Sequence, residues 1–289
     1  MAASLSPLLG AQAPWEMRRA DHPRPGGRFE HPLLTESSGV AASRRQPGIL
    51  WTLNDSGNDA AIFATDTLGR DHGAFAVAGA ENSDWEAIAI GPCGLRDCIY
   101  IADTGDNGKR RPSVRIYRVT EPSVAAGHPR ARRAEVLEVR YPDGPRDVEA
   151  AFVGTDGAVY LIAKGRGRSP RAYRITAEAW ESDETVVAKD IGRLPISTGG
   201  LGSEVTDAAL SPSGDMVAVR TYLAIYLFTL TGEGTLVPLG IACDAAGLQL
   251  QGEGISWLDD RVLVLTSEGG FGSPGTVVLL ECGAARRDH

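Results

Sequence analysis

Short apolar runs recur along the whole chain, separated by clusters of Gly, Pro, Asn, Asp and Ser, and no run has the length or the 3.6-residue period of a helix. Five stretches superimpose: SGVAAS from Ser38, EAIAIG from Glu86, EAAFVG from Glu149, DAALSP from Asp207 and EGISWL from Glu253. Each opens on a polar or acidic residue, continues with a small one and ends apolar. A turn and a second run follow (ILWTLNDSGN, CIYIADTGDN, VYLIAKGRGR, MVAVRTY, RVLVLTSEGG), then in most a third (AIFATD, VRIYRVTEP, RAYRITAE, AIYLFTL, TVVLLE). Fourth runs read in HGAFAVAG, AEVLEVRYP, ETVVAKDIG and GTLVPLGIA.

A repeat every ~46 to 63 residues with three or four strands per unit predicts a β-propeller, since solenoid units are shorter. The expected fold is therefore all-β, a single five-bladed propeller. The last unit lacks a fourth run, so the N-terminal stretch around WEMRRADHP is expected to supply its outer strand and close the ring, which removes free sheet edges. A two-sheet sandwich or two β domains would not explain why the acidic position recurs in each unit. The expected domain spans 15–289. Residues 1–14 read as a leader or signal-peptide remnant: a short apolar segment and AQA resemble a cleavage site, without basic residues at the start and with Pro14 where cleavage would fall.

In an antiparallel hairpin the start of one strand lies beside the end of the next. The polar clusters then share one face: Asp84 and Glu86 with Asp103 and Asp106, Glu149 with Lys164, Asp207 with Arg220, Glu253 with Ser267 and Glu268, and Ser38 with Asn54 and Asp55. The innermost strand of a blade lines the central channel, so these groups are expected to converge at its mouth. Two carboxylates about 6 Å apart repel by roughly 3 kcal/mol at an effective dielectric near 20. Protonation, cationic partners or a hard cation must offset that repulsion. The expected metal ligands are Asp55, Glu86, Glu149, Asp207 and Glu253, and the expected catalytic groups are Glu86, Asp103, Lys164 and Arg220. Calcium fits this oxygen-rich set, because none of the five histidines is spaced like a metal motif. The same residues also have a structural use: NDSG and TGDN form turns, and a carboxylate can cap backbone amides beside the channel.

The formal net charge of −8 offers no general attraction to nucleic acid or anionic lipid. The basic clusters at 44–45, 109–111 and 130–133 read as solvated loops, with phosphate or glycan binding as the alternative, and no apolar run approaches the ~20 residues of a membrane-spanning helix. Cys93 and Cys98 bracket a turn and leave Cys243 and Cys282 as a second pair, so two disulfides and a secreted or periplasmic location are expected. One C-x4-C without a second pair or a histidine is a poor zinc site. The chain has no G-x-S-x-G elbow, P-loop or H-E-x-x-H. GRGRSPR from Gly165 looks suited to phosphate, but it joins strand to strand, with no helix N-terminus to assist, and reads as a loop.

The motifs ESSGVAASRRQPGILWTLNDSGN, DWEAIA, YIADTGDNGKRR with IYRVTEP, RDVEAAFV, VTDAALSPSGDMVAVRTY and QGEGISW with LTSEGG cover residues 36–270. As a set they resemble bacterial WD40-like propeller proteins loosely related to the phytase-like esterase and hydrolase family. The resemblance implies an exported propeller with hydrolase activity on phosphoesters or other esters. The chain is also similar to lactonase-type propellers, which hold calcium with Glu and Asn at the channel mouth; that likeness implies such a role for Glu86, Glu149, Asp207 and Glu253. WTLNDSGN echoes the opening motif of five-bladed glycosidases, although Asp55 has no acid partner at a recognised motif. The expected function is an exported, divalent-cation-dependent hydrolase of a small ester, lactone or phosphoester, acting as a monomer. The alternatives are a non-catalytic ligand-binding or adaptor propeller, or a pocket enzyme such as a cyclase.

Overall fold

The computed structural model describes residues 15–126, 132–270 and 272–282, so the leader reading of 1–14 lies outside them. Five sheets of four or five strands make five blades. Their innermost strands are Ser37–Ala42, Trp85–Cys93, Val148–Val153, Val205–Leu210 and Gly252–Trp257, for blades 1 to 5 in that order. Each contacts the next, and the fifth contacts the first, so the ring is closed.

Closure differs in detail from the sequence expectation. Within WEMRRADHP the strand Glu16–Arg19 pairs parallel with Leu236–Asp244, the outer strand of blade 4. The following segment, Asp21–Arg28, is the outer strand of blade 5 and pairs antiparallel with Thr276–Glu281. This strand carries Pro23 and Pro25, which an edge tolerates because the missing N–H faces away from the ladder. Gly27 follows because its backbone runs against blade 1: its N–H donates to Thr67 O at 3.1 Å, and a Cβ there would lie 1.5 Å from Leu68 O.

Two other edges gain short additions. Val186–Val187, from ETVVAKDIG, joins blade 2, while Lys189–Arg193 completes blade 3. Arg132–Arg133, read from sequence as solvated loop, pairs parallel with Ala74–Ala78 of blade 1. An outer strand presents unpaired N–H and C=O groups, and these connections satisfy them.

The core consists of one apolar cluster per blade interface. Trp51, Trp85 and Ile101 fill the seam of blades 1 and 2; Tyr100 and Val159 that of 2 and 3; Phe152 and Phe228 that of 3 and 4; Ile225 and Trp257 that of 4 and 5. Phe29, Val40 and Val264 complete the seam of 5 and 1. Each fully buried large side chain contributes about 2–3 kcal/mol.

Both expected disulfides form, Cys93–Cys98 and Cys243–Cys282, with Cα separations of 5.7 and 5.8 Å. The second ties blade 4 to blade 5 across 39 residues of sequence. Chain-entropy arithmetic gives a loop of that size about 4 kcal/mol. The double variant Cys243→Ala/Cys282→Ala is therefore expected to lose about 3–4 kcal/mol in guanidinium denaturation, and an unchanged midpoint would remove the staple role. Two disulfides suit an extracellular or periplasmic setting. No described helix is long and apolar enough to cross a membrane.

Candidate functional site

The innermost strand pair of every blade carries a register irregularity near the same end. The ladder skips Ser38, Glu86, Glu149 and Thr206 in blades 1 to 4, and shifts between Gly252 and Ile255 in blade 5. An extra residue in one strand leaves the ladder and re-aims its side chain. The equivalent positions are thus Ser38, Glu86, Glu149, Thr206 and Glu253. Sequence superposition placed blade 4 one residue late, on Asp207. The hydroxyl members tie neighbours together: Ser38 Oγ donates to Trp85 O and Thr206 Oγ1 to Glu253 O, both at 2.9 Å.

The acidic members of blades 2 and 3 meet at the channel mouth. Glu86 forms one three-carboxylate group with Asp55 and Asp84, and a second with Asp147 and Glu149; within each, candidate ligand oxygens lie within 4.8 Å of one another. Asp147 was not among the residues singled out from sequence, yet the signal was present: DWEA and DVEA are the same D-x-E-A pattern in successive blades. Its orientation comes from the DTGDN turn, where Asp106 N–H donates to Asp147 Oδ1 at 3.0 Å. Asp147 Oδ2 is buried without a hydrogen-bond donor. Gly105 of the same turn packs against the first group, and a Cβ there would lie 2.4 Å from oxygens of both Asp84 and Glu86.

Burial and mutual repulsion raise the proton affinity of Asp84, Glu86, Glu149, Glu253 and Glu268. Desolvation, then the charge of Asp55, lifts Asp84 to about 6. Glu86 is pushed well above the carboxylate range by burial, then by Glu149. Burial carries Glu149 to about 8 against the pull of Lys164, whose Nζ donates to it at 2.7 Å. Glu268 rises to about 7 through burial and Glu253. Glu253 is also raised by burial, and it accepts a 2.7 Å hydrogen bond from Tyr222, a residue the sequence did not signal.

The remaining sequence candidates hold the framework. Asp103 is fully buried, and its Oδ1 accepts from Asp84 N–H at 3.0 Å and Arg111 Nη1 at 2.9 Å, so it fixes the loop that carries Asp84. Asp207 lies outside both three-carboxylate groups: its oxygens accept the N–H groups of Ala208 and Ile255, each at 2.8 Å, joining blade 4 to blade 5. Arg220 faces Asp207 in the ladder but spends its guanidinium elsewhere. Its Nη1 donates to Gly254 O at 2.6 Å and Thr266 O at 2.9 Å, and its Nη2 to Gln249 Oε1 at 2.8 Å. Arg220→Ala strands these acceptors and is expected to cost about 3–5 kcal/mol of stability in chemical denaturation. A loss below about 1 kcal/mol would contradict this strut role.

No protein-family model matches the chain, and no curated protein matches it by sequence. Solved structures do match. The PQQ-bound aldose sugar dehydrogenase of Streptomyces coelicolor is 13% identical with a TM-score of 0.55, over 89% of this chain and 96% of that one. A gluconolactonase of Xanthomonas campestris is 14% identical with a TM-score of 0.49, over 92% and 99%. At such identities the first likeness supports the β-propeller fold and goes no further.

Proposed function

We propose that the mouth binds a divalent cation, calcium by the chemistry of its donors, and hydrolyses a small ester, lactone or phosphoester in an exported protein. The observation that carries this reading is the pair of three-carboxylate groups sharing Glu86. Of these five carboxylates, Glu149 is held by Lys164 and Asp147 lies 3.6 Å from Arg166 Nη2, while Asp55, Asp84 and Glu86 have no ion pair among the described residues. Hard oxygen donors without thiolate or imidazole fit calcium or magnesium and disfavour zinc. Asp55, Asp84, Glu86, Asp147 and Glu149 would hold the ion, with Glu253 close enough to add to the field.

Bound there, the cation supplies Lewis-acid polarisation of a substrate oxygen and lowers the pKa of a coordinated water. The protein's own groups do the rest. Glu149, as one of the ligands, would be held ionised when the ion is bound, because cation and proton compete for the same carboxylate. Lys164 places a positive charge beside it, where negative charge develops in acyl or phosphoryl transfer. Tyr222 fixes Glu253, and Gly105 leaves room for the carboxylates to face the channel.

The test is calorimetry with calcium, magnesium and manganese, paired with an ester, lactone and phosphoester panel with and without chelator. Saturable cation binding with chelator-sensitive turnover is the expected result; no binding by any of the three ions overturns the reading. A second reading, a ligand-binding propeller without turnover, is favoured by the internal pairing of Glu149 with Lys164 and of Glu253 with Tyr222. Saturable ligand binding without turnover across the panel would select it.

A further inference from the structure

Beside the acidic mouth lies a cavity of about 340 Å³ with the opposite character. Its walls come from three places: the loop that follows DTGDN through Lys109, the start of blade 3 through Arg146 and Asp147, and the GRGRSPR loop with Arg193. Seven cationic side chains line it, against one carboxylate, Asp147. Four carboxylates pair with these cations. Arg146 and Arg171 share Asp143, Arg171 also reaches Asp190, Lys164 holds Glu149, and Arg166 Nη2 stands 3.6 Å from Asp147. Seven cations less four carboxylates leaves a surplus of three positive charges, in a protein whose net charge is −8.

A surplus held in a concavity points to an anion. Lys109 and Arg168 make no ion pair among the described residues, and Arg193 spends one donor on Ser169 O at 2.8 Å. Lys109 is moreover the one described non-glycine residue with positive φ, at 50°. That conformation is uncommon for a lysine and places it at the cavity wall. Asp147 and Lys164 belong to both places: they line the cavity, and they border the Glu86–Asp147–Glu149 group. A molecule seated in the cavity therefore has its far end beside the carboxylates.

We propose that this cavity is a substrate subsite for a phosphate group carried on the non-reacting end of the molecule. The substrate class is then a phosphate-bearing small ester or lactone. Donors reach the cavity from three segments, which suits the three or more oxygens of a tetrahedral dianion; a carboxylate would be saturated by one planar guanidinium. A surplus of three charges is also matched better by a dianion than by a monoanion. The inference rests on the proposed hydrolase reading for its reacting end alone; binding of the anion needs neither cation nor turnover.

The experiment titrates inorganic phosphate into the full chain in the presence of chelator, read by calorimetry, with acetate and with sodium chloride at matched ionic strength as parallel arms. Saturable phosphate binding, at least tenfold tighter than acetate and unmatched by chloride, is expected. Lys109→Ala/Arg168→Ala changes two exposed residues and so leaves the fold intact, which thermal melting verifies; it is expected to weaken phosphate at least tenfold. No saturable phosphate binding, equal binding of acetate, or an unchanged affinity in the double variant each overturns the proposal. Phosphate binding that persists in a protein unable to bind any divalent cation leaves this subsite standing while the metal reading falls.

Discussion

Glu86→Gln is expected to cut divalent-cation affinity about a hundredfold or more, whereas Asp207→Asn leaves it within about threefold. Glu86 alone belongs to both three-carboxylate groups, so its neutralisation removes a ligand from each and lowers the negative field at the place the ion would sit. A hundredfold is about 2.7 kcal/mol, modest against the repulsion that packed carboxylates otherwise suffer. Asp207 is also a buried carboxylate, yet its oxygens are occupied by the N–H groups of Ala208 and Ile255. Its amide variant is expected to lose stability instead. Calorimetry on both variants checks the contrast, with denaturation as companion; equal losses of affinity at the two positions would mean that net charge, not the Glu86 geometry, governs binding. Turnover of any identified substrate is expected to fall with the cation at Glu86.

The difference between these residues also shows where the sequence is legible. Blade number, strand order and both disulfides follow from short apolar runs and turn residues, because packing between blades imposes the same alternation on each unit. The bulge is invisible to that alternation. An extra residue shifts register by one, and so Asp207 aligned with Glu86 although Thr206 is its structural equivalent. Asp147 is hidden for a related reason: it stands two residues before the repeated acidic position, as Asp84 does in blade 2, and so outside the repeat itself. Comparing DWEA with DVEA would have found it. The partners of Arg220 and Asp103 were not legible either, since residue type and spacing do not say which backbone groups a buried side chain reaches.

Without divalent cation, the stability of the fold is expected to fall as pH rises from about 5 to about 8.5. The sign follows from proton linkage. Asp84 stands at about 6, Glu268 at about 7 and Glu149 at about 8, all above the ordinary carboxylate values they take in the unfolded chain. The folded state therefore holds protons that the unfolded state has released, and that contribution is complete below the unfolded values and is lost as pH passes the folded ones. Calcium is expected to reverse the trend, because it binds the ionised cluster and competes with protons for it. At a hundred times its dissociation constant a ligand specific to the folded state adds about 2.7 kcal/mol, which for a chain of this size raises the melting temperature by about 4 °C. Melting curves across this pH range, in chelator and in calcium, measure both effects. A profile in chelator that stays flat or rises toward pH 8.5 would show that the mouth carboxylates are ionised and at ease without an ion, and the case for a cation there would be lost.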